Sequence, residues 1–487
     1  MITKLLIYAS CLSILWLWNS HCRSVTSRQT VFLIASYGLY AIWGPWFLPI
    51  LLITSLMNYF LGSYLKRCPT PGRLWIGIVP NLALLSLFKY LPPLAATVAP
   101  HSTVGSTLSH IVFPVGISFW IFQALSYLFD IYRGQDLDPS VKEFCLYMAF
   151  WPTVLSGPIC RLGMMLPQFR EQSRPSWTDV GSGTQRIFIG ALMMGIAQLL
   201  GAGVRIGGGV NWGFDHAVGW GGLDVWCLVF GFGFQLFFDF AGYSHLAIGA
   251  AQVFGIRLQE NFDRPFLSTT PSAFWTRWHM SLSSWIRDYV FLPLATATPH
   301  LWWRNLALAI SMVIFGLWHK GSVLFILWGS YHGVLLVLHR QWQQLRRRFV
   351  VEWSGSFSRL LSWTVSFATI SMGWIFFRAH DWTIASSMLK AIFSPSSYRR
   401  TILPPALYLL VCVAAFGYFG VIASVSFLDH REATFEPGSS FVSRILGAAA
   451  RNRWVWVAPL LIVTSIYIVV VLQPETTSAS PFLYRLF

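Results

Sequence analysis

Between Arg28 and Lys66 the chain runs for 37 residues without an Asp, Glu, Lys or Arg, and between Lys89 and Asp130 for another 40. A helix needs about 20 mostly apolar residues to cross a bilayer. Each of these runs, 29–65 and 90–129, is therefore long enough for two crossings. Ten other charge-free runs lie at 5–22, 144–160, 187–204, 225–238, 240–256, 305–319, 321–339, 360–377, 401–428 and 454–474, and the apolar segment 74–88 adds another. The pattern predicts an all-α polytopic integral membrane protein with about 11–13 membrane segments, some of them re-entrant or amphipathic. The whole of 1–487 is read as one membrane domain, with a core at about 30–390 and C-terminal spans and a tail at 391–487. Lys4 precedes an apolar N-terminal stretch with no small-x-small cleavage site after it, so a retained first span is expected.

Composition excludes the other classes. Hydrophobic residues make up 55% of the 487 and charged residues only 11%, against about 25% charged in an average soluble protein. Such a chain can be neither a soluble enzyme nor a disordered segment. The seven cysteines are odd in number and form no CxxC, which argues against a disulfide framework or a zinc site. The net charge of +16 is carried in short clusters between apolar runs, such as Lys66-Arg67, Arg346-Arg347-Arg348 and Arg399-Arg400. Clusters of this kind face anionic headgroups on the cytoplasmic side. Membrane lipids, and no nucleic acid, are the expected contacts. No internal repeat is apparent, so a repeat-built transporter loses support.

Two connections are polar. Residues 161–186 read as a loop. Residues 257–293 are rich in Trp yet carry Arg257, Glu260, Asp263, Arg264, Arg277, Arg287 and Asp288, too many charges for a simple crossing. Within them, Trp275, His279, Leu282 and Ile286 fall on one face of a helical wheel, with Arg277, Ser281, Ser284 and Asp288 opposite. This predicts an amphipathic helix over 274–290 with His279 on its apolar face.

P-loop, HExxH and GxSxG signatures are missing, and Gly207–Gly209 and Gly231-x-Gly233 have no strand–turn–helix setting. Polar residues inside apolar runs are better guides, because burying them unpaired costs several kcal/mol. Asp239, His319 and His332 are such residues, and His279 joins them. A histidine at a helix end can act as a general base near neutral pH. Each one alone is equally a buried packing residue.

Five separated motifs resemble the membrane-bound O-acyltransferases, and in particular the bacterial alginate O-acetyltransferase-like branch, related to the membrane subunit of teichoic-acid D-alanylation. They are Phe113–Asp130 with Tyr132 and Arg133; Phe150–Arg161; Asp239–Ser244 through Glu260-Asn261-Phe262 to Phe274–Ser283 and Trp285–Tyr289; Gly316–His319 with Trp328-Gly329 and His332-Gly333; and Gly373–Ala379. The resemblance spans about 30–390. Lys320 stands where the family usually has Gly after the Trp-His pair, and His245 where it usually has an acid.

The resemblance implies a bowl of tilted helices around a central tunnel, with the essential histidine at His319 and its companion at His279. A membrane O-acyltransferase follows as an expectation. It would move an acyl group, in the simplest case acetyl, from a cytosolic thioester such as acetyl-CoA to an extracytoplasmic hydroxyl on an exported polysaccharide. No bound cofactor and no metal are expected. The implied site has His319 as base, His279 as hydrogen-bond donor, and Asp239, Asp288, His332, Arg277 and Arg287 around the substrates, the arginines toward donor phosphates. An SGNH-type secreted or periplasmic partner, polysaccharide-export machinery and the bacterial inner membrane are the implied setting. The C-terminal Pro481–Phe487 resembles an acyl-relay tail, which would make Tyr484 an acyl carrier. Open alternatives are aminoacyl transfer from a carrier protein, a transporter or flippase, and a non-catalytic scaffold of polymer export.

Overall fold

The computed structural model describes residues 2–434, apart from Arg23, 99–101, His110, 172–174, 204–207, Val218 and 350–354. These residues are helical, and no strand is found among them. Eight helices in this set are long and apolar enough to cross a membrane, and the chain is a multi-pass membrane protein. The expected span 454–474 and Tyr484 lie outside the described residues.

The first charge-free run forms two helices, as read. Val25–Trp43 ends at Gly44, Pro45 starts a short turn, and Leu48–Arg67 follows. The second run departs from two crossings. It makes the short helices Leu91–Val98 and Thr103–Ser109 and then Ile117–Tyr132. Pro92 and Pro93 stand in the first turn of Leu91–Val98 and Pro114 just before Ile117–Tyr132, places where proline is tolerated, whereas in a helix interior it removes a backbone bond and clashes with the preceding turn. The run 144–160 likewise stops short. Helix Val141–Ala149 gives way to turns that carry Pro152, Gly157 and Pro158. The segment 161–186, read as a loop, is partly helical. Helix Leu162–Arg170 buries Leu162, Met165, Leu166 and Phe169, an i, i+3, i+4, i+7 stripe, and helix Trp177–Ala202 begins before the expected end of the loop. The runs 225–238 and 240–256 fuse into one helix, Gly222–Val253, with Asp239 inside it.

Contacts divide the chain into two compact units. One comprises 1–187, 244–260 and 284–290; the other comprises 188–243, 261–283 and 291–487. In the first, the buried amides of Asn58 and Asn81 exchange hydrogen bonds of 3.0 and 2.7 Å between helices Leu48–Arg67 and Pro71–Lys89. Such a pair satisfies groups that lipid cannot. Glu143 closes a capping box with Ser140 at the start of its helix and takes two hydrogen bonds from Arg170, at 2.8 and 2.9 Å.

The second unit contains the helical hairpin Leu301–His319 and Val323–Arg348, then Ser356–Arg378, Trp382–Phe393 and Pro405–Thr434. The hairpin is tight because glycines face backbone. A Cβ on Gly316 would lie 2.1 Å from the Phe325 carbonyl oxygen, and one on Gly329 2.3 Å from that of Met312. Gly329 and Gly333 form a GxxxG step, which lets membrane helices approach closely. The turn Lys320–Ser322 is thereby fixed directly after His319.

Candidate active site

His319 is the last residue of its helix. It is 6% exposed, and its ring sits among Trp318, Phe315, Phe377 and Trp328, with ring centroids 4.7, 5.1, 5.2 and 5.3 Å away. Three of these aromatics come from its own helix or the hairpin partner. Phe377 comes from Ser356–Arg378.

His279 arrives differently. The amphipathic helix expected over 274–290 is broken. Helix Pro271–Trp275 ends, residues 276–279 turn, Met280–Ile286 resumes, and Arg287–Phe291 is a π-helical turn. The break falls on His279 itself, whose φ is +42°, in the left-handed region that costs a non-glycine residue about 1–3 kcal/mol. Asn261, fully buried, holds the bend. Its carbonyl oxygen accepts from the Met280 N–H at 2.8 Å, and its side-chain oxygen accepts from the Ser281 hydroxyl at 2.5 Å and the Ser281 N–H at 3.3 Å. The burial of Trp275, His279, Leu282 and Ile286 agrees with the apolar face, but the face is built by a strained turn rather than a continuous helix.

The outcome is one small chamber lined by both histidines together with Leu236, Phe240, Trp278, Trp328, Trp374 and Phe377. It leaves only about 10 Å³ for a water-sized sphere, room for about one water. Neither ring nitrogen of His279 meets a hydrogen-bond partner among the described residues, and the Phe240 ring packs edge-on to the imidazole at 4.6 Å. Burial pushes the His279 pKa down to about 3, so it is a neutral imidazole with one N–H to give. The indole N–H of Trp328 also lacks an acceptor among the described residues. Buried polar groups are nearly always satisfied, so these nitrogens are available to a group that enters the chamber.

A larger cavity of about 730 Å³ lies beside the chamber, lined by Lys320, Phe325, Phe377, Arg378, His380 and Trp382 among others. Phe377 lines both spaces.

The remaining sequence candidates are dispersed. His332 is fully buried one turn beyond Trp328 but does not line the chamber. It packs against Trp275 and Trp328, and a Cβ on Gly373 would lie 2.5 Å from its Nε2. Asp239 is buried on Gly222–Val253, beside the chamber residue Phe240, without lining the space itself. Arg277 is half-buried in the turn before His279. Arg287 and Asp288 belong to the other unit, where the Asp288 carboxylate meets Arg161 at 2.6 Å and Arg287 at 2.7 Å. The chamber aromatics Phe240, Trp374 and Phe377, and the strap residue Asn261, were not singled out for the site by sequence. A tryptophan in an aromatic-rich helix carries no mark of facing a cavity. Among the described residues no group of three or more His, Cys, Asp or Glu side chains could hold a metal ion.

The profile of the membrane-bound O-acyltransferase family matches residues 74–379. The chain is 29% identical over 481 residues to the probable alginate O-acetylase of Pseudomonas putida, covering 94% of both chains. It is 32% identical to the probable alginate O-acetylase of Azotobacter vinelandii, over 75% of this chain and 73% of that one. It is also 28% identical to the peptidoglycan O-acetyltransferase of Helicobacter pylori, over 74% of this chain and 72% of that one. The matched region contains both chamber histidines, and the chain belongs to the membrane-bound O-acyltransferase family and is an O-acyltransferase.

Proposed function

We propose that this protein transfers an acetyl group from a cytosolic thioester, acetyl-CoA in the simplest case, to a hydroxyl presented on the extracytoplasmic side, and that the product serves O-acetylation of an exported polysaccharide. The observation that carries the reading is the chamber shared by His279 and His319. The substrate class is supported by the relatives, which are named for alginate and peptidoglycan O-acetylation. A bacterial inner-membrane location and an SGNH-type partner that places the acetyl group on the polymer complete the proposal.

A free hydroxyl is a weak nucleophile, so a base must take its proton as it attacks. His319 accepts that proton, and the oxygen adds to the thioester carbonyl carbon. The negative charge gathers on the carbonyl oxygen, where the neutral His279 N–H donates; one such donor in a water-poor site contributes about 3–4 kcal/mol. The C–S bond then breaks, and the leaving thiolate takes the proton back from His319. While it is protonated, His319 stands at the carbonyl end of its helix, where positive charge is favoured.

Charge supports the sidedness. The far ends of helices Val323–Arg348 and Ser356–Arg378 carry Arg346, Arg347, Arg348 and Arg359, a basic connection of the kind kept in the cytoplasm. On this assignment the large cavity, lined by the opposite ends Val323 and Arg378, opens toward the acceptor, and Arg400, tied to Gly219 near Arg378's partner Asp215, lies at that end too, against the cytoplasmic placement expected for its cluster. The test is acetyl transfer from labelled acetyl-CoA by purified protein. His319→Ala and His319→Gln should both abolish it, with the protein still folded. Transfer at the wild-type rate in either variant would refute the reading.

A further inference from the structure

The reaction proposed above gives the thioester carbonyl oxygen one hydrogen-bond donor. Such an oxygen has two lone pairs and gains negative charge as the hydroxyl adds. The chamber has room for about one water, and a carbonyl oxygen is no larger. In so dry a space an oxyanion with an unanswered lone pair is costly. The side chains that line the chamber limit what can supply the second donor. Leu236, Phe240 and Phe377 have no polar side-chain atom, His319 is committed to the proton, and His279 gives its one N–H. The indoles of Trp278, Trp328 and Trp374 remain.

The structure separates the three. Trp278 lays its ring nearly parallel on that of Phe274, with centroids 5.4 Å apart, and has no unpaired buried nitrogen among the described residues. The Trp374 nitrogen is unpaired among them, but it lies against helix Gly222–Val253, where a Cβ on Gly233 would come within 2.9 Å of it. Trp328 is 1% exposed, and its indole nitrogen has no acceptor among the described residues. Its ring stands edge-on to that of His319, at an interplanar angle of 87° with centroids 5.3 Å apart, and is held by Phe377 at 5.2 Å and His332 at 5.1 Å. The backbone beside it is fixed as well, because Gly329 packs directly on the Met312 carbonyl. An indole N–H is a donor only and carries no charge. It does not compete with His319 for the proton, and no change of tautomer can remove its hydrogen.

We propose that Trp328 is a catalytic residue of this site: its indole N–H is the second donor, beside that of His279, to the carbonyl oxygen of the acyl thioester. The proposal rests on the acyl-transfer reading. As the hydroxyl oxygen bonds to the carbonyl carbon, its proton passes to His319 and the carbonyl π pair moves onto the oxygen, where the two N–H groups hold it. When the C–S bond breaks, that pair re-forms the carbonyl and the thiolate leaves with the proton from His319. Trp328 exchanges no proton at any point.

The test uses the full chain in lipid nanodiscs. Trp328→Phe removes the N–H together with part of the ring, so the deciding variant carries benzothienylalanine in place of Trp328, an isostere with sulfur where the N–H was. Its kcat for acetyl transfer should fall about 100-fold, with the KM for acetyl-CoA and the thermal transition unchanged. The second readout needs no turnover. Acetyl-CoA labelled at the carbonyl carbon is bound to His319→Ala, and its carbonyl stretch is read by infrared difference spectroscopy. Adding the isostere should move that band to higher wavenumber, because one hydrogen bond to the oxygen is gone. Wild-type kcat in the isostere variant overturns the proposal. So does a fall in kcat with the band unmoved, which makes Trp328 a packing residue of the chamber. Wild-type protein that transfers no acetyl group from acetyl-CoA refutes the acyl-transfer reading itself, and the role of Trp328 falls with it.

Discussion

In the chamber beside His319, the ring nitrogens of His279 and the indole nitrogen of Trp328 meet no hydrogen-bond partner among the described residues. In the other unit, the charges around the buried Tyr289 are answered. There Asp130 accepts from the Tyr289 hydroxyl at 2.7 Å, Arg161 and Arg287 both reach the Asp288 carboxylate, and Arg133 donates to the Asp288 carbonyl. The guanidinium groups of Arg133 and Arg161 also lie 5.0 and 4.9 Å from the Tyr289 ring centre. Burial disfavours ionised Asp288, but the hydrogen bonds from Arg287 and Arg161 outweigh it, and its pKa is lowered. The contrast teaches how to tell scaffold from chemistry in a chain full of buried polar groups. A satisfied network spends its polarity on fixing helices, whereas an unsatisfied cluster keeps donors available for a substrate.

The contrast breaks if mutations in the two regions behave alike. The largest effect is expected at His319. His319→Ala should lower turnover by about 10²–10⁴-fold with little change in the thermal transition, measured by acetyl transfer and by unfolding of the same preparation. Asp288→Ala should do the reverse. It leaves Arg161 and Arg287 unanswered and should cost about 2–3 kcal/mol of stability, with turnover per folded molecule kept within a few-fold. Lost turnover at unchanged stability would place the arginine cluster in the chemistry and erase the distinction.

Asn261 sharpens the comparison, because it is a satisfied residue that serves the unsatisfied one. Asn261→Ala should lower kcat about tenfold with KM unchanged, since the substrates still bind but His279 is no longer held at its strained φ. Ser281→Ala should reproduce part of this loss, and the double variant should be no worse than Asn261→Ala alone. Additive losses would mean that the two residues act separately.

The smallest effect is a pH dependence in the scaffold. The hydrogen bonds from Arg170 hold the Glu143 pKa down at about 2 against an ordinary 4.5. A depressed carboxyl contributes stability above its unfolded pKa and loses it as pH falls through the folded one. Wild type should therefore be more stable than Glu143→Gln at pH 6 by about 1 kcal/mol, and the difference should fade between pH 4.5 and 2. A gap that stays constant over this window would show that the carboxylate is not what stabilises the corner.

Much of the fold was legible because lipid is a demanding solvent. A charge-free run either crosses as a helix or breaks into shorter ones, and both outcomes occur here: 29–65 divides at Gly44-Pro45, while 90–129 breaks into shorter helices. The two catalytic candidates were legible for the same reason, because a histidine in an apolar run is expensive and stands out, and motif resemblance then ranked His319 and His279 above His332. The helix periodicity over 274–290 pointed to the correct buried face and to the wrong backbone, since a wheel assumes the regular turn that His279 abandons.

What the sequence determined by itself is therefore local: a multi-pass membrane class, the positions of most helices, and the residue types capable of acyl-transfer chemistry. Tertiary structure alone decided that His279 and His319, 40 positions apart, share one chamber, that His332 faces Gly373 instead, and that Phe377 lines both this chamber and a larger cavity that Lys320 also lines. Hydropathy is a sum over neighbours in the chain. A strained φ at His279, by contrast, is stable only because Asn261, 18 residues away, holds the turn, and the glycines of the hairpin set how closely its helices approach. Those couplings are energies of the folded state, and no window of sequence contains both partners.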